Sequence, residues 1–582
     1  MGETFNLRQF DFPLPQPFSF DKALKTYETP EPGMHHDESW PVLYILTNAQ
    51  DNTAYIGQTT NYQRRMQQHK SNPEKNFDRS LLIDSEVFNQ STTFDYENKL
   101  IELFSADGKY RITNANNGYA QFDYYQRPLY RQNFRKLWEQ LRKEHYALHP
   151  IEDLQNTDLF KFSPFKTLTP DQYEAIDEII RQLEAEVSDN KKKNEKTLNK
   201  RVTIVNGQPG TGKTILAISL LFKISNEAEF KGLRVGFITP MASLKRTLRK
   251  IAGQLPGLKA GDIMTPSEMT HNEHYDILLV DEAHRLGDRM SVGAGIGAFY
   301  NTCDRLGLPR EANQIDWIFS CCDKAYIFYD PRQQIRSGGL SLSELETRLN
   351  RLEDEGIETE EFNLSTQMRV RGGDEYLDFV YDLLTNKAYT HNGMRFESLF
   401  SSQPYDARNG DPNCEYPRYQ FSIVSSFQEF CDLQKNKEQE SGLSRMLAGY
   451  AWKWQSKKEK DCFDICIEGI QKKWNTSQED WVNTPNAINE IGCIHTIQGY
   501  DLNYGFVILG HDIAYDEARE RVVVDADHFY DITAKKKATD ADLERIIINA
   551  YYVLMTRGIL GTFLYVCDPP LRRYLEHYIP AI

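Results

Sequence analysis

Two sets of residues in this 582-residue chain have the types and spacing for phosphorus chemistry. The first is GQPGTGKT at 207–214, set directly after the apolar run VTIVN and before the helical pattern ILAISLLFKIS. A GxxxxGK[ST] loop between strand and helix turns its backbone N–H groups toward phosphate at a helix N-terminus. Gly207, Gly210 and Gly212 stand in that loop, Lys213 can reach the β- and γ-phosphates, and Thr214 can hold a magnesium ion. Farther on, ILLVDEAH puts Asp281 and Glu282 at the end of another strand. There one carboxylate can bind the ion through its water shell while its neighbour orients the attacking water. Strand, loop and acid pair in this order predict hydrolysis of a nucleoside triphosphate tail.

The second set lies upstream. VLY at 42–44 and YIG at 55–57 sit on two apolar runs joined by the polar turn AQDNT, a hairpin pattern. NYQRRMQQH follows as a short helix, with Arg65 eight positions after Gly57 and His69 one turn further on the same face. FDYENKLIELF reads as a helix carrying Glu97, and RITNANNG supplies Asn114. Phosphodiester hydrolysis needs a nucleophilic water, a group to take its proton, a cation near the nonbridging oxygens and a metal for the leaving oxygen. Tyr44, Tyr55, Arg65, His69 and Glu97 are residues of those types.

The elements that must position these residues follow from composition and pattern. With 40% hydrophobic, 12% aromatic and 26% charged residues, the chain is a folded protein rather than a disordered or fibrous one. No apolar run approaches the roughly 20 residues that cross a bilayer, and the start lacks a signal pattern, so a cytoplasmic chain is expected. Nine cysteines with no CxxC pair give neither a disulfide framework nor a zinc pattern. The net charge, 68 − 84 = −16, argues against nonspecific coating of nucleic acid, so any such contact must use local basic surfaces. Prolines in residues 1–40 predict an extended arm, and the change of pattern at Pro41 opens a module running to 150. Its last helix, YRQNFRKLWEQLRKEHYA, carries Phe134, Trp138 and Leu141 on one face. Beyond it, VTIVNG, RVGFITP, YDILLVDEAH, KAYIFYD, EFNLSTQ, GFVILG and GTFLYV alternate with helical segments, which predicts parallel sheets with covering helices. The lysine-rich stretch 187–201 reads as a solvated loop. Trp452 and Trp454 read as core residues with base stacking as the alternative.

The two-tyrosine hairpin with its Arg, His, Glu and Asn resembles the GIY-YIG nucleases, Val42 standing where the family usually has Gly. The resemblance implies Tyr44 as general base, Tyr55 and His69 assisting it, Arg65 rather than Arg64 on the scissile phosphate, Glu97 on one magnesium or manganese ion, and Asn114 near the module's end. From the P-loop onward, about 400 residues resemble superfamily 1 helicases, and more specifically the Schlafen-type group of helicase-like proteins. In matching motifs, LTPDQ implies Gln172 on the adenine and YDPRQQ implies Gln333 as γ-phosphate sensor. TQMR and YVLMTRG imply Arg369 and Arg557 as arginines that clamp the γ-phosphate. The expected architecture is α/β: an arm at 1–40, a small α/β nuclease module at 41–150, and two RecA-like parallel-sheet units at 151–345 and 346–582. The expected function is an ATP-hydrolysing, helicase-like nuclease acting on nucleic acid, DNA in preference to RNA, as in bacterial candidate anti-phage defence proteins. Homo-oligomers or a defence partner protein, and no membrane, complete the expectation. The alternatives are an ATP-controlled sensor with a dormant nuclease and a repair or recombination helicase-nuclease.

Overall fold

The computed structural model describes residues 5–14, 40–72, 76–85, 88–114, 127–155, 157–166, 168–193, 197–269, 274–289, 295–336, 338–366, 370, 373–386, 419–477, 481–497, 500–535 and 538–582. They divide into two compact units: residues 1–184 with 218–232 and 247–262, and residues 185–217 with 233–246 and 263–582.

The first unit is built on a five-stranded sheet of β1 (Asn6–Asp11), β2 (Val42–Asn48), β3 (Thr53–Thr59), β4 (Arg79–Asp84) and β5 (Arg111–Ile112), in the order β1-β4-β2-β3-β5. β2 and β3 form the expected hairpin, antiparallel, with Tyr44 opposite Gly57. β1 pairs antiparallel with β4 over six residues, so the expected arm contributes an edge strand to the sheet. Two helices carry the chemistry-bearing residues, and each starts on an asparagine. Asn61 caps Tyr62–Lys70 through Arg64 N at 2.9 Å, and Asn89 caps Gln90–Asp107 through Thr92 N at 2.9 Å. Gly108, at φ 70°, ends the longer helix in the left-handed conformation that glycine adopts without strain. The helix Arg127–Lys143 buries Phe134, Trp138 and Leu141 as its periodicity requires. After it, Leu154 and Phe162 are buried, and Phe165 packs edge-on against Phe222 at 5.1 Å.

The second unit holds two parallel sheets. One contains β6 (Arg201–Gly207), β7 (Val235–Ile238), β8 (Ile263–Met264), β9 (Tyr275–Val280), β10 (Cys322–Tyr329) and β11 (Glu358–Leu364), in the order β11-β6-β10-β9-β7-β8. The other contains β12 (Gln420–Ile423), β13 (Ser444–Ala448), β16 (Ile491–Cys493), β17 (Leu502–Leu509) and β20 (Gly558–Val566), in the order β12-β20-β17-β13-β16. Two hairpins, β14 (Ile465–Ile467) with β15 (Ile470–Lys472) and β18 (Ile513–Asp516) with β19 (Arg521–Val524), stand outside these sheets. Every residue of β10 is buried, the signature of a parallel strand covered on both faces.

Two readings need correction. β11 pairs with β6 from Glu358↔Arg201 to Leu364↔Gly207, so the first parallel sheet takes in residues beyond 345, where the sequence pattern placed the boundary. Strand pairing across more than 150 residues has no local signature. Residues 187–193, expected in a loop, continue the helix Pro170–Lys193. Lysine propagates a helix well once the preceding turns exist. No helix among the described residues is long and apolar enough to cross a membrane.

Candidate nuclease and nucleotide sites

In the first unit the hairpin and the first helix bring four predicted residues together. The Tyr44 hydroxyl lies 2.9 Å from His69 Nε2 and accepts a hydrogen bond from Arg65 Nε at 3.1 Å. Arg65 Nη2 reaches the Tyr55 hydroxyl at 3.5 Å, and Nη1 donates to Gln68 Oε1 at 3.0 Å. The rings of Tyr44 and Tyr55 stack at 6.3 Å, and His69 stands edge-on to Tyr55 at 4.8 Å. Tyr44 and His69 are buried. Arg65 can only donate, so Tyr44 accepts from it and keeps its own O–H for another acceptor, which His69 Nε2 provides when the imidazole proton stands on Nδ1. Burial, reinforced by Tyr55, pushes the Tyr44 hydroxyl far above its ordinary pKa of 10.0, so it rests protonated.

Gly57 makes this arrangement possible. A Cβ there would lie 2.3 Å from the Tyr44 hydroxyl oxygen, so the ring occupies the space a side chain would need. Its role was not apparent from spacing alone, which used Gly57 only as a landmark.

Glu97, on the second helix, accepts a hydrogen bond from Gln58 N at 3.2 Å, which aims it at β3. Burial raises its carboxyl to about 7, outweighing the Gln58 N–H and the more distant Arg65 charge. Asn114 has a different place. Its Oδ1 accepts from Ile56 N at 3.1 Å and its Nδ2 donates to Ile56 O at 2.7 Å, extending the short β3/β5 ladder. Both ends of its amide are thus spent on β3, and it fixes the strand that carries Tyr55 and Gly57. A cleft of about 430 Å³ opens beside Arg65, lined by Gln58, Asn61, Arg64, Gln68 and Gln90 among others. No group of three or more His, Cys, Asp or Glu that could hold an ion occurs among the described residues, which leaves Glu97 a single carboxylate.

The second site lies at the carboxyl ends of β6, β9 and β10, neighbours in the first parallel sheet. Gly210 and Gly212 take φ of 90° and 75°, the conformations that turn the loop before the helix Lys213–Asn226. Lys213 Nζ donates to Gly207 O at 2.6 Å and Gln208 O at 3.0 Å, and lies 3.4 Å from Asp330 Oδ2. Thr214 Oγ1 donates to Asp281 Oδ2 at 2.8 Å. Burial and the adjacent Glu282 charge raise Asp281 above the usual carboxylate range. For Glu282 burial works upward, but the charges of His284, 3.0 Å away, and of Arg285 win and lower it. Glu282 itself has φ 54°, a strained conformation for a non-glycine residue that the surrounding packing must enforce.

The second parallel sheet reaches this site through Arg557. Fully buried, it donates from Nη2 to Gln333 Oε1 at 3.3 Å and from Nε to Val553 O at 3.1 Å. Gln333 in turn donates to Asp330 Oδ2 at 2.6 Å. Asp330 therefore connects Lys213, Gln333 and, through it, Arg557, although the sequence reading passed over it. Its one local signal was its place at the end of an apolar strand, the position at which Asp281 was found. Gln172, in the other unit, is fully buried and accepts from Thr169 N at 3.0 Å at the start of its own helix. Arg369 lies outside the described residues.

Two wholly parallel sheets with a phosphate-loop and an acid pair at strand ends define an NTP-hydrolysing module of the helicase class, carried with a small nuclease-type module. Residues 200–568 match the Schlafen group 3, DNA/RNA helicase domain, and residues 41–119 match the GIY-YIG catalytic domain. The chain belongs to the Schlafen group 3 helicase family. It is 24% identical over 400 residues to the uncharacterized protein YPL245W of Saccharomyces cerevisiae, covering 64% of this chain and 83% of that protein. Among solved structures, the DUF1998 helicase MrfA bound to DNA is 10% identical with a TM-score of 0.29, over 71% of this chain, which spans 52% of the MrfA chain. The Pif1 helicase from Bacteroides in complex with ADP-AlF3 and ssDNA is 10% identical with a TM-score of 0.27, over 68% of this chain and 92% of that one.

Proposed function

We propose that this chain is an ATP-hydrolysing, helicase-like protein whose first unit cuts phosphodiester bonds in nucleic acid, DNA in preference to RNA. The observation that carries the reading is the Tyr44 hydroxyl, bonded to His69 on one side and Arg65 on the other. A tyrosine held protonated by burial becomes a base only if its proton has somewhere to go, and His69 Nε2 is 2.9 Å away. Tyr44 accepts the proton of the attacking water as it passes its own to His69. Arg65, bordering the cleft, offers its remaining N–H groups to the nonbridging oxygens of the scissile phosphate.

Glu97 fits a divalent ion, Mg²⁺ or Mn²⁺. Its carboxylate is largely withdrawn from water, forms no ion pair among the described residues, and is raised to about 7 by burial, a cost that a bound cation would relieve. When bound, such an ion supplies charge neutralisation at the leaving oxygen. In the second unit Thr214 and Asp281 would hold Mg²⁺ with ATP, Lys213 would bind the phosphates, Glu282 would orient water, and Gln333 with Arg557 would sense the γ-phosphate, a reading supported by the contacts of Thr214 with Asp281 and of Arg557 with Gln333. Gln172 on the adenine and Arg369 as a second clamping arginine complete the reading. The cytoplasm is its proposed location and prokaryotic anti-phage defence its proposed setting.

The test is nicking of supercoiled plasmid and of matched RNA, with Mg²⁺ or Mn²⁺. Glu97→Gln is expected to abolish metal-dependent cleavage, and Arg65→Ala to slow it by about 100-fold. Parental rates in Glu97→Gln would remove Glu97 from the metal site, and an unchanged Arg65→Ala would shift the phosphate contact to Arg64.

A further inference from the structure

The segment between β13 and β16 takes no part in the two sites above, yet it is built with care. Asp464 is buried and accepts three hydrogen bonds: from Ser456 N at 2.7 Å, Ser456 Oγ at 2.6 Å and Trp474 N at 2.8 Å. One carboxylate thus ties the turn at 456–461 to the end of the β14/β15 hairpin. At the far end of the hairpin, Glu468 takes φ 50° and accepts from Phe427 N and from the Tyr565 hydroxyl, each at 2.8 Å, which anchors its tip to the core. Glu490 is likewise satisfied, by Thr476 Oγ1 at 2.6 Å and Trp481 Nε1 at 3.1 Å.

These braces surround a cavity of about 820 Å³, the size range of ligand sites. Its lining combines three kinds of group. Trp454 and Phe463 supply rings. Trp454 is backed by Trp474 at 6.0 Å, whereas Phe463 is 47% exposed. Lys457, Lys460, Lys472 and Lys473 supply charge, opposed among the described lining residues by the fully bonded Glu490. Gln471, Asn486 and Asn489 supply neutral donors and acceptors. A lone exposed phenylalanine is ordinary on a protein surface. An exposed phenylalanine at a braced cavity ringed by four lysines, in a chain of net charge −16, is a local reversal of the molecule's electrostatics.

We propose that this cavity, in the segment between β13 and β16, binds a single-stranded segment of nucleic acid, stacking an unpaired base on Phe463 with its phosphates on Lys457, Lys460 and Lys472. Ring faces accept any base, and lysines track the backbone without reading sequence. A duplex keeps its base faces covered, so the strand that fits is unpaired. Lys473 is left out of the contact set because its Nζ already donates to Lys460 O at 2.6 Å and holds the turn. The inference rests on the nucleic-acid reading above but uses residues remote in sequence from both catalytic sets.

The test uses the full chain with Glu97→Gln, so that the probe survives, and fluorescence anisotropy with labelled oligo-dT and oligo-rU over a range of salt. Phe463→Ala is expected to weaken binding about tenfold, with Phe463→Tyr restoring it. Combining Lys457→Ala, Lys460→Ala and Lys472→Ala is expected to flatten the log–log salt slope by about 2. A loss on either probe supports the site, and its confinement to one of them says whether the sugar is read. Unchanged affinity and slope on both, or displacement of a labelled poly-glutamate peptide rather than the oligonucleotide by these changes, would overturn it. The titrations are run in EDTA, where the probe stays intact whichever residue holds the metal, so failure of the nuclease assignment would show in plasmid nicking while leaving these affinities as predicted.

Discussion

The two sites solve the problem of holding reactive groups in opposite ways. In the first unit the Tyr44 hydroxyl already bonds both His69 and Arg65, and the Glu97 carboxylate accepts from the backbone of Gln58. In the second unit the ligand-binding groups are satisfied by one another. Lys213 is spent on two carbonyls of its own loop and on Asp330, and Thr214 on Asp281. A bound nucleotide would have to take those partners away. One site is preorganised, its groups already bonded to one another, and the other is closed on itself. The physical reason is charge: Tyr44 is neutral at rest and can be buried at little cost, whereas a buried Lys213 needs acceptors at once.

The largest expected effect breaks the pair apart. Lys213→Ala should abolish ATP hydrolysis by deleting the charge at the β/γ-phosphates, and metal-dependent nicking without ATP should persist. Glu97→Gln should do the reverse. Glu282→Gln belongs with Lys213→Ala in turnover but not in binding: filter binding of labelled ATP should survive in the former and fail in the latter. Loss of both activities from either single change would mean that the sites do not work independently.

Asp330→Asn probes the self-closure directly. It weakens the hold on Lys213 and alters the contact with Gln333 at 2.6 Å, while keeping the shape of the side chain. Hydrolysis is expected to fall about tenfold, the scale of one positioning hydrogen bond to a charged group, and steady-state kinetics should show whether the loss lies in kcat. A normal rate would reduce Asp330 to a helix cap for Arg332 N, which it also bonds at 3.0 Å.

How far the sequence discloses these sites follows from distance along the chain. Tyr44, Tyr55, Arg65 and His69 fall within one hairpin and the helix after it, so helical spacing put Arg65 and His69 on one face and the family resemblance joined them to the two tyrosines. The phosphate loop is equally local. Asp330 is 117 residues from Lys213, and Arg557 is 224 from Gln333. Only resemblance pointed to the arginine, and Asp330 had no more than its place at a strand end. The same holds for structure: the β2/β3 hairpin was legible, while β1 on β4 and β11 on β6 were not, because those strands acquire their meaning from partners far away. Asn114 runs the other way. A resemblance named it for the site, and the hydrogen bonds show an amide that holds a strand.

Gly57→Ala tests preorganisation by crowding it. The added methyl would stand 2.3 Å from the Tyr44 hydroxyl and force the ring aside, stretching its bonds to His69 and Arg65. Cleavage should fall at least tenfold, and stability by about 1–3 kcal/mol in chemical denaturation, the usual cost of overpacking. A stable, fully active Gly57→Ala would show that the Tyr44 position is not critical.

The smallest effect concerns charge at rest. Burial raises the Glu97 carboxyl from 4.5 to about 7, so the folded metal-free chain holds this proton more tightly than the unfolded chain. Between those values the native state binds more protons, and stability contributed by this group falls as pH rises through the window. Below pH 4.5 both states are protonated and the group contributes nothing either way. Glu97→Gln removes the titration, so in EDTA its melting temperature should exceed the parent's by about 2–4 °C at pH 8 and converge with it near pH 5. Ion binding requires the ionised carboxylate, so the parent's affinity for Mn²⁺ at this site should drop about tenfold for each pH unit below 7. The ATP-site ion must be kept out of the measurement, and a Lys213→Ala background without nucleotide does that. If Glu97→Gln melts like the parent at pH 8, the carboxylate is better solvated than its burial implies, and the first site is less closed to water than the second.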